Sequence, residues 1–132
     1  MNWLVKEEPS NYNYAQFRAD GHTVWTGVKN PVAQRHLRAM TPGDRVFYYH
    51  TGDEKAIVGT ARVAGAPYRD PKQPGFYAVD LECGAPLPAP VTLKAVKADP
   101  RFADFALTRL PRLSVMPVTD DQWDALEAMA RG

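Results

Sequence analysis

The run TVWTGVKNPVAQRHLRAM, Thr23 to Met40, joins an extended start to a helix through a Trp-Thr-Gly turn. Asn30 and Pro31 read as the cap and first residue of that helix. An asparagine side chain accepts from free N–H groups of a first turn, and proline at the first position gives up a donor the helix does not use. Ala33, Leu37 and Met40 then share one face, while Gln34, Arg35 and Arg38 point the other way. Between Gly21 and Gly43 there is no acid, yet Lys29, Arg35, Arg38, His22 and His36 all fall there. Two readings stand: a core tryptophan followed by a solvated helix, or an aromatic pocket whose rim attracts an anion.

Strand-like segments lie to either side. Asn2 to Lys6 alternates around Trp3 and Val5, and His22 to Thr26 forms a second extended piece. Arg45 to His50, Ala56 to Val63, Phe76 to Cys83 and Val91 to Val96 are rich in β-branched or aromatic residues and bounded by Gly/Pro punctuation. DPKQPG (Asp70 to Gly75) and GAPLPAP (Gly84 to Pro90) read as loops between them. Tyr14 and Phe17 sit in a short helical turn, Asp99 to Leu107 reads as a short helix burying Phe102 and Phe105, and RLSVMPV (Arg112 to Val118) holds a last strand. A capping box, Thr119 with Gln122, opens a final helix that buries Trp123, Leu126 and Ala130. Strands joined by tight turns outnumber the helices. The expected class is α+β: a curled, mostly antiparallel sheet or open barrel with short helices packed at its ends.

Composition narrows the function. A chain of 132 residues with 45% hydrophobic content suits a single domain spanning 1–132. Sixteen Lys+Arg against fifteen Asp+Glu leave a net charge of +1, so a non-specific nucleic-acid coat is excluded and any such partner must be held by a local patch and a pocket. Cys83 is the one cysteine, which rules out an intramolecular disulfide and fits a reduced compartment. No signal-like start and no apolar run of about 18 residues occurs, so a soluble, cytoplasmic monomer without membrane contact is expected.

Several separated segments match one family. W-x-x-K-x-E-P stands at Trp3 to Pro9, W-x-G-V-K-N at Trp25 to Asn30 and L-R-A-M at Leu37 to Met40. G-D at Gly43 to Asp44, F-Y-Y-H at Phe47 to His50, V-G at Val58 to Gly59 and R-L-S-V-x-P-V at Arg112 to Val118 follow in the family's order. With these motifs the chain resembles the EVE domain, a branch of the PUA-like fold. The resemblance implies a PUA-like pseudo-barrel close in kind to the YTH and SRA domains. It also implies a reader of modified bases in DNA or RNA that takes a flipped base into an aromatic pocket, with no catalysis, cofactor or metal. Four positions depart from the family pattern: Glu7 in place of serine, Gln34 in place of arginine, Thr51-Gly52 in place of Ser-Asn, and Phe76 or Tyr77 in place of a tryptophan.

A flipped base costs a few kcal/mol of lost stacking, which a pocket offsets by stacking and edge contacts of its own. Trp25 is the chosen platform, with Gly27 permitting close approach of backbone to ligand; core packing is the alternative. Asn30 caps a helix whose start also offers N–H groups to an anion. Tyr48 and His50 alternate against Phe47 and Tyr49, and whichever set is not core lines the cavity. Thr51, standing where the family has serine, is expected beside the ligand, and the family match makes Lys6 a base-edge or phosphate contact where local charge pairing alone would give it Glu7 or Glu8. Lys29, Arg35 and Arg38 are the expected phosphate contacts. Two rival readings remain: a small amidohydrolase acting on modified nucleosides, by analogy with ASCH domains, using Lys6, Glu7 and Thr26, and a structural or partner-binding module whose Trp25 is all core. No catalytic or metal-binding residues are assigned.

Overall fold

The computed structural model describes all residues from Met1 to Gly132. Strand β1 (Asn2–Glu7) is followed by α1 (Tyr14–Asp20), β2 (His22–Trp25), α2 (Pro31–Arg38), β3 (Arg45–His50) and β4 (Ala56–Val63). Then come β5 (Tyr68–Arg69), β6 (Tyr77–Thr92), α3 (Leu93–Ala98), a 3-10 turn at Pro100–Phe102, α4 (Ala106–Arg109), β7 (Val115–Val118) and α5 (Asp120–Arg131). The sheet runs β2-β6-β4-β3-β1-β7, with β5 on β6. Only β1 and β3 are parallel, from Asn2↔Arg45 to Glu7↔His50, and every other pairing is antiparallel. Helix α2 packs against both β6 and β7, across the side the sheet leaves open. The result is the α+β, mostly antiparallel sheet expected from the pattern, in the pseudo-barrel arrangement that the resemblance implies.

Helix starts follow local chemistry. Asn13 with Gln16 and Thr119 with Gln122 form reciprocal capping boxes, and Asn30 caps α2 ahead of Pro31. The Gly-Asp motif also has a physical cause. Asp44 takes the buried indole N–H of Trp3 at 2.9 Å and the Thr41 N–H and hydroxyl at 2.9 Å each, tying the turn before β3 to β1. Although burial pushes its carboxyl up, these hydrogen bonds outweigh it and hold the group below the usual carboxylate range.

Four local expectations need correction. In β3 one face was to be core, but Val46, Phe47, Tyr48, Tyr49 and His50 are all buried, because the strand is central and covered on both sides. Phe47 stacks on Trp123 of α5, while Tyr48 packs among Tyr14, Phe17 and Trp25. The expected loop Gly84 to Pro90 is part of β6, which pairs with β4 through two register shifts. Beyond Cys83, whose N–H still reaches the Gly21 carbonyl, the strand has no neighbour paired on its other side, so its prolines cost no ladder bond there. Strand Val91 to Val96 is instead the end of β6 and the start of α3, capped by Thr92. The helix over Asp99 to Leu107 divides into the 3-10 turn and α4, though Phe102 and Phe105 are buried as expected.

Gln34 is the fifth difference. Its place on the helix suggested solvent, yet only 7% of its surface is exposed. Its amide donates to the Val28 carbonyl at 2.6 Å and the Tyr77 carbonyl at 3.1 Å, and accepts the Tyr77 N–H at 2.9 Å. It thereby supplies strand-like partners to the first residue of β6 and fastens α2 to it.

Candidate functional site

The candidate residues fall into three groups. The first is a closed aromatic block. Trp25, at the end of β2, is 5% exposed and meets Tyr48 edge-on with centroids 5.5 Å apart. Tyr48 is fully buried; its hydroxyl donates to the Tyr12 carbonyl, and burial pushes its phenol well above the usual range. His50 accepts the Tyr14 N–H on Nε2 at 3.0 Å and has Glu54 2.8 Å from Nδ1. Since Nε2 accepts a backbone donor, the ring proton lies on Nδ1, facing the carboxylate. Thr51 bonds the Glu7 carbonyl through its N–H and the Glu8 carboxylate through its hydroxyl. Every polar atom named in this block already has a protein partner.

The second group surrounds the start of α2. Gly27 has φ +76°, and a Cβ there would meet nothing within 4 Å, so backbone conformation is what requires glycine. The Asn30 side chain accepts from both Val32 and Ala33, at 2.9 and 3.1 Å, and the Gln34 N–H bonds the Asn30 carbonyl. With Pro31 lacking an N–H, the first turn has no donor left to offer an anion, contrary to expectation. Lys29, Arg35 and Arg38 are exposed, and none forms a salt bridge. The Arg38 guanidinium rests 4.7 Å from the centre of the Tyr77 ring. Burial, with help from Arg35, lowers the pKa of His36.

The third group was not assembled from the sequence. Lys6 at the end of β1 is half-buried and pairs with neither Glu7 nor Glu8. Its ammonium donates to the Pro111 carbonyl at 3.0 Å and stands 5.5 Å from the Tyr49 ring, and burial lowers its pKa. Pro111 belongs to the turn before β7. The end of α4 and that turn, Arg109–Leu113, face the α2 cap Asn30 and Val32 across a cavity of about 310 Å³. The walls are largely apolar, and Arg109 and Arg112 are the only charged residues in them. The volume is at the small end of the usual range for small-molecule sites. The available signal was two arginines flanking Leu-Pro just before a strand, but nothing local says that this segment meets α2.

The three residues of the enzyme reading each have a separate partner: Lys6 the Pro111 carbonyl, Glu7 the Glu8 N–H, and Thr26 the carboxylate of Asp70. The Thr26 hydroxyl is the main cause of Asp70's lowered pKa.

Comparison with known proteins places these features in context. The EVE domain family model matches residues 1–129. Thymocyte nuclear protein 1 from human is 24% identical over 159 residues, covering 93% of this chain and 71% of that protein. The chicken homologue is 32% identical over 84 residues, 54% of this chain and only 35% of its own length. The NMR structure of Rpa0253 from Rhodopseudomonas palustris has a TM-score of 0.94 at 46% identity, covering 98% of this chain and 92% of the other. Human THYN1, solved in complex with DNA containing 5-methylcytosine, superposes with a TM-score of 0.90 at 22% identity, covering 99% and 98% of the two chains. An ASCH protein from Zymomonas mobilis has a TM-score of 0.59 at 12% identity over 97% and 94% of the two chains, a likeness of fold alone.

Proposed function

Because this chain belongs to the EVE domain family, we propose that it is a non-catalytic nucleic-acid-binding domain that reads a modified base between the start of α2 and the turn before β7. Human THYN1 was solved with DNA carrying 5-methylcytosine, which supports nucleic acid as the partner class. The observation that carries the reading is the apolar cavity itself, bordered by Asn30, Val32 and Arg109–Leu113 and free of lining acids. An apolar wall accepts the faces of a base, and cations at the rim accept its phosphates. In this proposal Lys6 and Asn30 border the base. Trp25, Tyr48, His50 and Thr51 stay in the closed aromatic block and Gly27 in the turn before α2, outside the cavity lining, and Lys29, Arg35, Arg38 and Arg112 contact the backbone.

The test is a fluorescence-anisotropy titration of short oligonucleotides carrying modified or plain bases, repeated over a range of salt. Three or four phosphate contacts predict a slope of log affinity against log salt of about −2 to −4, with base preference kept throughout. Arg112→Ala should weaken every oligonucleotide alike and reduce the steepness by about 1. A slope near −10, or equal affinity for modified and plain strands, would overturn the reading.

A further inference from the structure

The turn before β7 carries more than a cavity wall needs. Leu110 is 51% exposed and Val32 36%, and both of these large apolar side chains border the one cavity. Single exposed leucines need no explanation. This one stands on a fixed backbone between two arginines. The Leu110 N–H bonds the Ala106 carbonyl at 2.8 Å, the Leu113 N–H returns to Leu110 at 3.0 Å, and the Lys6 ammonium holds the Pro111 carbonyl at 3.0 Å. Pro111 fixes its own φ as well. Arg109 is engaged only by an exposed contact to Asp104 at 3.6 Å, which a phosphate can replace, and Arg112 has no acidic partner.

We infer that Leu110 and Pro111 form a wedge that enters the stack of a duplex where the read base has left it, so that the partner is double-stranded. The inference rests on the base-reading proposal above. Taking a base out of a duplex leaves an opened step, and the lost stacking must be recovered elsewhere. Apolar side chains inserted between base steps do this in proteins that kink or open DNA. Here the apolar tip would fill the gap while Arg109 and Arg112 take phosphates on either side of it. A single strand has no such gap, so the wedge favours a duplex specifically.

The experiment compares the parent, Leu110→Ala and Leu110→Phe on one modified sequence, offered as a single strand and as a duplex, with the plain duplex as reference. Burying the open half of a leucine predicts that Leu110→Ala lowers the duplex-to-single-strand affinity ratio roughly five- to tenfold. Leu110→Phe, still apolar and larger, should keep the ratio. Both variants should melt with the parent, because the side chain is exposed. Equal losses on both forms, an unchanged ratio in Leu110→Ala, or a loss in Leu110→Phe as large as in Leu110→Ala would overturn the wedge while leaving base reading intact. A parent that does not distinguish modified from plain strands overturns both.

Discussion

Replacing Trp25 by alanine removes an indole whose surface is 5% exposed and whose edge meets the fully buried Tyr48 ring at 5.5 Å. Tyr48 also contacts Phe17, stacked at 5.5 Å, and Tyr14, edge-on at 5.4 Å, so the vacated volume is walled by rings that are themselves wedged in place. Such a site collapses poorly, which puts the cost at about 3–5 kcal/mol. For a chain of this size that corresponds to a drop of roughly 10–25 °C in melting temperature. Set against a typical domain stability of about 5–15 kcal/mol, a folded fraction should survive at low temperature. Urea melts followed by circular dichroism would give the stability. Titration of the remaining folded protein with modified and plain oligonucleotides would show whether base preference survives. The expectation is a large stability loss with preference retained, because the open cavity lies beside Asn30 and Arg109–Leu113 and not within the aromatic block. A variant that melts like the parent yet loses all preference would mean that the indole is a stacking platform, and that the closed packing of Trp25 on Tyr48 has been misjudged.

Gly59→Ala should be severe for a different reason: its Cβ would fall 2.2 Å from Cζ of Tyr14, whose hydroxyl is bonded to the Thr60 carbonyl. A loss of about 1–3 kcal/mol or more is expected from overpacking, and it should largely vanish in a Tyr14→Ala background; a double-mutant cycle without coupling would rule out this contact as the cause. Asp44 predicts a pH effect. Its folded pKa is depressed, so its contribution is present above the ordinary carboxylate pKa of about 3.9 and is lost as pH falls below that value through the folded pKa. Urea melts from pH 3 to 7 should therefore show a stability gap between parent and Asp44→Asn that is constant above about pH 5 and narrows below about pH 4; a gap that widens in acid would contradict the sign.

The parts of the fold legible in the sequence are those whose causes lie within a few residues. Asn30-Pro31 starts a helix because of what a side-chain amide and a ring nitrogen do to one turn, and Thr119 with Gln122 does the same for α5. Strands β1, β3 and β4 follow from their own branched and aromatic side chains, although β1 and β3 are buried on both faces and do not alternate. What escaped depends on neighbours. The prolines of β6 looked like a loop because their tolerance requires a missing neighbour on one side, and that absence belongs to the sheet and not to the segment. Gln34 looked solvent-facing because helical spacing ignores the unpaired backbone of Tyr77 that its amide satisfies.

The candidate site is the extreme case of the same rule. Its two walls are distant in sequence, and each is unremarkable by itself: a capped helix start at Asn30 and a turn with two arginines at Arg109–Leu113. Their meeting follows from topology. Parallel pairing with β3 on one side of β1 leaves its other side for β7. That brings the turn before β7 to the end of β1, where Lys6 can reach Pro111. Helix α2, fastened to β6 by Gln34, crosses to β7 and presents its first turn to the same place. The acid-free composition of Gly21 to Gly43 is then more than a local curiosity. Once α2 is laid beside β7, Val32 borders the same cavity as Arg112, and an acid at that position would offer Arg112 an ion-pair partner. A site meant for an anion would lose its charge, whereas a purely structural contact would gain an ion pair.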